Sequence, residues 1–137
     1  MSLAVDDNEI REAQRLRYTV FAEEMGARLP SVLPGHDIDL YDPFCDHLLV
    51  RELASGEVVG TYRILPPEAA KRVGSYYSEQ EFDLTRLGFL RPRMAELGRS
   101  CVHPAHRCGS VIARLWMGLA DYMTRYGYET IVGCASV

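Results

Sequence analysis

The most chemically informative stretch of the sequence runs from Glu96 to Trp116, where a predicted strand leads through a short turn into a predicted helix. Glu96 and Arg99 lie on the strand, and Arg107 and Gly109 lie in the turn. The first turn of a helix carries unpaired backbone N–H groups and the positive end of the helix dipole, so it can hold a phosphate group. This signal is weak by itself, because many strand-to-helix turns contain Gly and Arg for reasons of turn geometry alone.

Several catalytic motifs are absent from the sequence. It contains no GxxxxGK[ST] phosphate loop, no GxGxxG fingerprint, no GxSxG nucleophile elbow and no HExxH zinc motif. No His is followed five residues later by Asp, which excludes the His/Asp pair of the glycerolipid acyltransferases. The four His, at positions 36, 47, 103 and 106, share no repeated spacing, so we expect no metal site.

The composition is that of an ordinary globular protein. Of the 137 residues, 47% are hydrophobic and 25% are charged, and the formal net charge is −4. Nucleic acid is excluded as the main partner, because phosphate binding depends on clustered Lys and Arg. The four Cys form no CxxC pair and the N-terminus has no signal-peptide core, so we expect reduced thiols and a cytoplasmic protein.

The order of the predicted elements indicates a single mixed α/β domain over residues 1–137. A helix over 7–25 precedes an acidic, Pro-rich loop over 27–46, which is long enough to be functional. After the loop we predict strands over 47–53 and 57–65, a helical turn over 68–72, and a strand over Met94–Val102 with a bulge at Gly98. A helix follows and ends at Gly127, and its predicted packing stripe is Ile112, Leu115, Trp116, Leu119 and Met123. The last predicted element is a buried strand over 129–137.

The C-terminal run over 131–137 is apolar and stops without a terminating signal. We therefore expect the domain to be truncated and to lack its C-terminal strands. A buried final strand with an unpaired edge would also allow a homodimer, because such an edge can pair with a second copy.

A resemblance to a known superfamily is carried by Val102-His103-Pro104-x-x-Arg107-x-Gly109, followed by an apolar helix and a buried strand. This pattern resembles the acyl-donor motif of the GNAT superfamily of N-acyltransferases. The resemblance implies a three-layer α/β/α fold with a mixed central sheet. It also implies a loop whose amides hold the phosphates of a pantetheine thioester, with Val102, Arg107, Cys108, Gly109 and Ser110 as the donor-binding residues. The usual Gly and Gly or Ala after the Arg are Ser110 and Ile112 here.

A closer resemblance covers nearly the whole chain. Residues 16–26, 37–42, 44–50, 60–66, 77–83 and 96–102 are similar to the N-acyltransferases that form lyso-ornithine lipid, also known as hemolysin-like proteins. Part of the pattern also resembles acyl-homoserine-lactone synthases, namely Arg17, Phe21, Asp39, Asp42, Arg63, Glu96 and Arg99. Both families take the acyl chain from acyl carrier protein. The resemblance therefore implies an acyl-phosphopantetheine or acyl-CoA substrate rather than a tightly bound cofactor.

The reaction that this resemblance implies is the attack of an amine on a thioester. Glu96 would be the base that accepts the amine proton, directly or through one water. Its alternative role is a structural ion pair with Arg99 or Arg63. The strand around Gly98 would offer a backbone N–H to the developing oxyanion.

An ornithine acceptor carries a carboxylate and a second ammonium group, so its site needs both an Arg and an acid. Arg63 and Arg99 form the catalytic set with Glu96, and they could bind a carboxylate or a phosphate. Arg17, Asp39 and Asp42 are implied as acceptor-binding residues. As an alternative, Arg63 and Arg99 each balance Asp39, Asp42 or Glu96, and Arg17 is a surface charge on its helix. Cys101 and Cys108 are not expected to act as nucleophiles, since direct transfer needs none.

Three functions remain in competition. The first is transfer of a 3-hydroxyacyl chain from acyl carrier protein to the α-amine of L-ornithine, with contact at a membrane surface left open. The second is an acyl-homoserine-lactone synthase, which differs in the amino-acid acceptor. The third is a non-catalytic domain that binds acyl carrier protein.

Overall fold

The computed structural model of the chain describes residues 1–26, 33–80, 85–107 and 109–133. The elements of these parts are β1 (Ser2–Leu3), α1 (Asp7–Tyr18), β2 (Asp46–Arg51), β3 (Val58–Leu65), α2 (Pro67–Val73), β4 (Met94–Val102), α3 (Gly109–Tyr126) and β5 (Thr130–Val132), with a π-helical turn over Thr19–Glu24 and 3₁₀ turns over Asp42–Phe44, Tyr77–Gln80, Thr85–Arg93 and Pro104–His106.

One mixed sheet runs through the molecule in the strand order β1-β2-β3-β4-β5. The first three neighbouring pairs are antiparallel, and β4 and β5 are parallel. Because a parallel pair needs a crossover, α3 connects β4 to β5. The mixed sheet that the sequence predicts is confirmed.

The helices cover both faces of the sheet, as the alternation of side chains along β2 requires. Leu49 packs with Leu16 of α1 on one face. Leu48 and Val50 pack with Leu115 of α3 on the other face. This arrangement confirms the three-layer α/β/α architecture.

The first helix has the predicted start and a less regular end. The Asp6 side chain accepts a hydrogen bond from the Glu9 amide at 2.9 Å, and Glu9 in turn accepts one from the Val5 amide at 3.2 Å. The chain then continues from α1 into the π-helical turn and ends it at Gly26, whose φ is 74°. The predicted extent of 7–25 is confirmed, whereas the π-helical turn carries no periodic signal that would predict it.

Helix α3 packs closely on the middle of the sheet. A Cβ atom at Gly60 of β3 would lie 2.8 Å from Val111 Cγ1, a distance that real Cβ atoms do not show. Gly60 is therefore required by the close approach of the helix to the strand.

The packing stripe predicted for α3 is wrong in part. Trp116 is 54% exposed and Ile112 is 43% exposed, so neither is a core residue. The helix instead turns its Gly118 side toward the sheet, because the missing side chain permits close contact there. The buried residues of the helix are Val111, Leu115, Gly118, Leu119 and Tyr122.

The predicted hairpin and the strand Met94–Val102 are confirmed within two residues at each end. Of the predicted last strand, β5 covers Thr130–Val132, and residues 134–137 lie outside the described residues. The predicted burial is wrong at Ile131, which is 43% exposed because β5 is the last strand of the described sheet. Residues 27–32 of the predicted acidic loop also lie outside them, and its following part is irregular up to the 3₁₀ turn over Asp42–Phe44.

Candidate active site

A cavity of about 1000 Å³ opens along the second half of β4. Strand β5 pairs with β4 only as far as Glu96, so residues Leu97 to Val102 have a paired strand on one side only within the described ranges. All six of these residues line the cavity. The other lining residues are Val20, Phe21, Met25, Tyr41, Cys45, Tyr62, Arg63, Leu65, Tyr77, Glu96, Arg107, Ile112, Leu115, Ile131 and Gly133.

Glu96 lies at the start of this edge, where the pairing with β5 ends. Its Oε1 accepts a hydrogen bond from the Tyr77 amide at 2.7 Å, and its Oε2 accepts bonds from the Ser78 amide at 2.6 Å and the Ser78 hydroxyl at 2.5 Å. The residue is only 5% exposed. The described residues include no ion pair between Glu96 and either Arg63 or Arg99. The carboxylate is instead held by neutral donors of the Tyr77–Gln80 turn.

A β-bulge follows Glu96 in the same strand. Thr61 faces Cys101 and Arg63 faces Gly98, so Arg99 and Ser100 together occupy the space opposite the single residue between Thr61 and Arg63. The extra residue of a bulge leaves backbone groups outside the ladder. Arg99 has a φ of 49°, which a non-glycine residue rarely adopts. The sequence predicts the bulge from Gly98, but the strained backbone is at Arg99.

The guanidinium groups of Arg63 and Arg99 both lie close to one aromatic ring. The Cζ atoms are 6.0 Å and 5.7 Å from the centroid of Tyr77. Tyr41 contacts the same ring edge-on at 5.7 Å. Because Glu96 binds the Tyr77 amide, the acid, the ring and both cations form one connected wall of the cavity.

The two cations differ in how far they are neutralised. Arg63 Nη1 lies 2.6 Å from Asp39 Oδ1 and 3.0 Å from Asp42 Oδ1. Arg99 Nε is 3.3 Å from Asp37 Oδ2, within ion-pair range, but its N–H is directed at no acceptor among the described residues. Arg99 Nη2 is 3.5 Å from Asp39, at the limit of a hydrogen bond. Arg99 therefore has hydrogen-bonding capacity left for an anion.

Behind Arg63 lies a buried ionic layer. Arg17 is 0% exposed, and its Nη1 and Nη2 atoms donate to Asp42 at 3.0 Å and 2.8 Å while its Nε donates to Asp37 at 3.0 Å. Gln14 adds a hydrogen bond to Asp42 at 3.1 Å. Burial alone would raise the pKa of Asp42, but the hydrogen bonds and charges of Arg17 and Arg63 outweigh it and lower that pKa to about 2.

The predicted donor loop lies at the other end of the cavity. Val102 and Arg107 line it, and Gly109 and Ser110 form the first turn of α3. Cys108 lies outside the described residues. Arg107 makes a two-pronged ion pair with Glu24, with Nη1–Oε1 and Nη2–Oε2 distances of 2.5 Å and 2.6 Å.

A comparison with protein families agrees with this architecture. The family model described as an acetyltransferase (GNAT) domain matches residues 16–117 of the chain, from the last turn of α1 to the middle of α3. The chain belongs to this GNAT family. The match contains the acidic loop, the strands β2 to β4 and the donor loop.

This member of the GNAT family is also similar to curated acyltransferases. It is 43% identical to an L-ornithine N(alpha)-acyltransferase of Rhodobacter capsulatus over 98% of its own length, and 42% identical to one of Brucella abortus over 93%. It spans 54% and 48% of the lengths of these two proteins. Similarity to an acyl-homoserine-lactone synthase of Agrobacterium fabrum is lower, at 31% identity over 90% of the chain and 60% of that protein.

Solved structures share the GNAT chain's fold. The AHL synthase LasI superimposes with a TM-score of 0.71 and 24% identity, over 96% of this chain and 69% of that one. The CoA-dependent acyl-homoserine lactone synthase BjaI gives a TM-score of 0.71 and 23% identity, over 93% of this chain and 59% of that one. These matches confirm the predicted fold.

Within this GNAT fold, the residues singled out in the sequence divide into two groups. Arg63, Glu96, Arg99, Val102 and Arg107 line one cavity. The three acceptor-binding candidates do not: Arg17, Asp39 and Asp42 lie behind Arg63, and Asp39 alone of them keeps a partly exposed side chain, at 22%. Among the alternatives, the ion pairing of Arg63 with the loop acids is present. The surface position given for Arg17 is wrong: the residue is 0% exposed, because its guanidinium is paired with Asp37 and Asp42.

Sequence reasoning missed Tyr41, Tyr77 and Glu24. Tyr41 and Tyr77 lie in irregular segments, where no periodicity reports which side chains point inward. Glu24 lies in the predicted helix, whose periodicity does not identify a partner 83 residues away. For Tyr77 and Glu24 a signal was available, because the resemblance covers residues 16–26 and 77–83.

Two cysteines of the GNAT domain line the cavity without the environment of a nucleophile. Burial raises the pKa of the Cys45 thiol and of the Cys101 thiol to about 12 each. Among the described residues, no cluster of three or more His, Cys, Asp or Glu is arranged to hold a metal ion. None of the helices in the described parts of the chain has the length and apolarity that crossing a membrane requires.

Proposed function

We propose that the chain catalyses N-acyl transfer, moving a 3-hydroxyacyl group from the phosphopantetheine thioester of acyl carrier protein to the α-amine of L-ornithine. One observation carries the proposal: a single cavity holds an acid, a partly exposed arginine with long ion pairs, and an edge of β4 to which the described residues pair no further strand. The chain that forms it is 43% identical to an L-ornithine N(alpha)-acyltransferase.

In this proposal the donor lies along residues 97–102 of β4, beyond the pairing with β5 that the described residues form. The phosphate of the pantetheine arm binds at Arg107 and at the amides of Gly109 and Ser110 that begin α3, where the helix dipole favours an anion. The acyl chain follows the apolar side of the cavity, formed by Leu97, Ile112, Leu115 and Ile131 among others. Acyl carrier protein and CoA both carry a phosphate attached to pantetheine, so acyl-CoA is the alternative donor.

The chemical step joins the amine nitrogen to the thioester carbonyl carbon and breaks the C–S bond. The products are an amide and a pantetheine thiol, and the proton lost by the amine is passed on to the thiolate. Glu96 accepts that proton, directly or through one water, because it is the carboxylate that lines the cavity beside the bulge. Backbone N–H groups freed by the bulge stabilise the oxyanion, an effect worth about 3 kcal/mol per donor.

Arg99 is the acceptor's carboxylate ligand in this proposal. Arg99 is better suited to that role than Arg63, because the Arg99 side chain is 25% exposed and lies 3.3 Å and 3.5 Å from its two aspartates. The Arg63 side chain is only 6% exposed and lies 2.6 Å and 3.0 Å from its own two. Asp39, the partly exposed acid beside both arginines, receives the side-chain ammonium of ornithine. Arg17 and Asp42 act as positioning residues for Arg63, since both are buried behind it.

The proposal is tested by incubating the purified chain with 3-hydroxyacyl carrier protein and either ornithine or S-adenosylmethionine, and by identifying the product by mass. A lyso-ornithine lipid supports it. An acyl-homoserine lactone would instead assign the chain to the synthase function, and donor binding without product would assign it to a binding domain.

Glu96→Gln tests the proposed base in the same assay. We expect turnover to fall about a hundredfold or more, which is the usual contribution of a general base. Glu57→Gln is the matched control, because Glu57 is exposed in the turn before β3 and lies outside the cavity. Full turnover by the Glu96 variant would remove it as the base.

A further inference from the structure

The ion pair between Glu24 and Arg107 joins two elements that lie far apart in the sequence and border the same cavity. Glu24 ends the π-helical turn that follows α1, and Arg107 lies 83 residues later in the turn that leads into α3. Both prongs are short, at 2.5 Å and 2.6 Å, and Arg107 Nε also donates to the Val102 carbonyl oxygen at 3.2 Å. The Arg107 guanidinium is therefore oriented by the Val102 carbonyl of β4, and both of its terminal nitrogens are bonded to the Glu24 carboxylate.

The same groups border the cavity. Arg107 and Val102 line it, and so do Val20, Phe21 and Met25 from the turn that carries Glu24. A carboxylate and a phosphate present similar pairs of oxygen atoms to the guanidinium fork. Glu24 thus occupies the position at Arg107 that a donor phosphate would need.

We infer that Glu24 competes with the acyl donor for Arg107: its carboxylate pairs with the Arg107 guanidinium, and the phosphate beside pantetheine must displace it to bind. This inference rests on the proposed function, because it assigns Arg107 to a phosphorylated donor. Its consequence is that Glu24 lowers the affinity for phosphorylated donors and leaves donors without a phosphate unaffected.

The size of the effect follows from the exposure of the pair. The side chains of Arg107 and Glu24 are 44% and 34% exposed, so solvent screens their attraction. Hydrogen bonding to Arg107 lowers the pKa of Glu24, which keeps its carboxylate charged at neutral pH. A two- to fivefold change in donor affinity is therefore expected, in the range of exposed ion pairs.

Titration calorimetry with a 3-hydroxyacyl phosphopantetheine thioester measures this competition, since the probe carries the phosphate common to acyl carrier protein and CoA. Glu24→Gln should bind the probe about two- to fivefold more tightly than the wild type. Glu23→Gln is the matched control, because Glu23 is exposed on the same turn and bears the same charge. Glu23→Gln should bind the probe as the wild type does, which would show that the loss of a negative charge on this turn does not by itself tighten binding.

Two further measurements complete the test. In an Arg107→Gln background, Glu24→Gln should have no effect, and with a thioester that lacks the phosphate all variants should bind alike. Equal probe binding by Glu24→Gln and Glu23→Gln, or weaker binding by Glu24→Gln, would overturn the competition while leaving the donor site in place. If the wild type and Arg107→Gln bind the probe equally or not at all, the assigned donor site is also wrong. Parallel titrations with acyl-CoA and acyl carrier protein distinguish the two donor sources.

Discussion

At the scale of single residues, the site contains two kinds of charged group: those whose hydrogen bonds are all made within the protein, and those that can still bind a substrate. Asp42 bonds Arg17, Arg63 and Gln14 and is 2% exposed, so it has little capacity left for a substrate. Arg99 is strained, partly exposed and incompletely paired. A residue kept in such a state at a cavity is more useful for binding than for stability.

Asp42→Asn should destabilise the fold by about 3 to 5 kcal/mol, because it leaves Arg17 buried with half of its charge compensation. Chemical denaturation measures the loss. Asp121→Asn is the control: Asp121 forms an exposed pair with Arg125 at 3.8 Å, and its loss should cost no more than about 0.5 kcal/mol.

The same variant should change the pH dependence of stability. The pKa of Asp42 is about 2 in the folded chain and 3.8 as a free side chain, so the unfolded state takes up the proton first. Its stabilising effect is complete above pH 4 and is lost as the pH falls through 2. The wild type should therefore lose stability over this range more steeply than Asp42→Asn, and parallel curves would contradict the assignment.

At the scale of elements, strand β4 was predictable and the loop before β2 was not. The alternation over Met94–Val102 reports its two faces directly, and Gly98 reports the bulge. The partners of the loop acids depend on long-range contacts: Asp37 meets Arg17 and Asp39 meets Arg63, at separations of 20 and 24 residues. An irregular segment has no period from which such partners can be read, so only the family resemblance singled these acids out.

Helix α3 shows a different limit of pattern reading. Its sequence carries apolar residues on more than half of its circumference, so the pattern allowed Trp116 to be assigned to the core. Glycine decided the actual orientation, because Gly60 and Gly118 let the helix approach the sheet on one side. Trp116 was left at the surface, edge-on to Tyr62 at 6.2 Å.

Gly60→Ala should destabilise the chain by about 1 to 3 kcal/mol, the usual cost of an added methyl group in a well-packed core. The new Cβ would lie 2.8 Å from Val111 Cγ1, so α3 must move away from β3. Thermal unfolding measures the change. Gly88→Ala is the control, because a Cβ there meets nothing within 4 Å, and an equal loss in both variants would mean that packing is not the cause.

At the scale of the whole molecule, the cavity joins the two faces of the sheet past the edge of β4. Arg63 and Glu96 approach it from the face that α1 covers, whereas Tyr62 and Leu97 approach it from the face that α3 covers. One side is charged and the other is apolar. This division suits a substrate with a polar reacting end and a long aliphatic chain.

If the acyl donor binds as proposed, Ile112→Trp should shift the preference of the chain toward shorter acyl groups. Ile112 lines the apolar side and is 43% exposed, so a larger ring can narrow the cavity without disturbing the core. Each methylene group that no longer fits costs about 1 to 3 kcal/mol of transition-state binding, so kcat/KM for long donors should fall at least tenfold relative to short ones. The ratio is measured with a series of 3-hydroxyacyl carrier proteins. Met117→Trp adds a ring to the same helix at a 67% exposed position away from the cavity and should leave the ratio unchanged. If both variants retain the wild-type ratio, the acyl chain does not pass between α3 and β4.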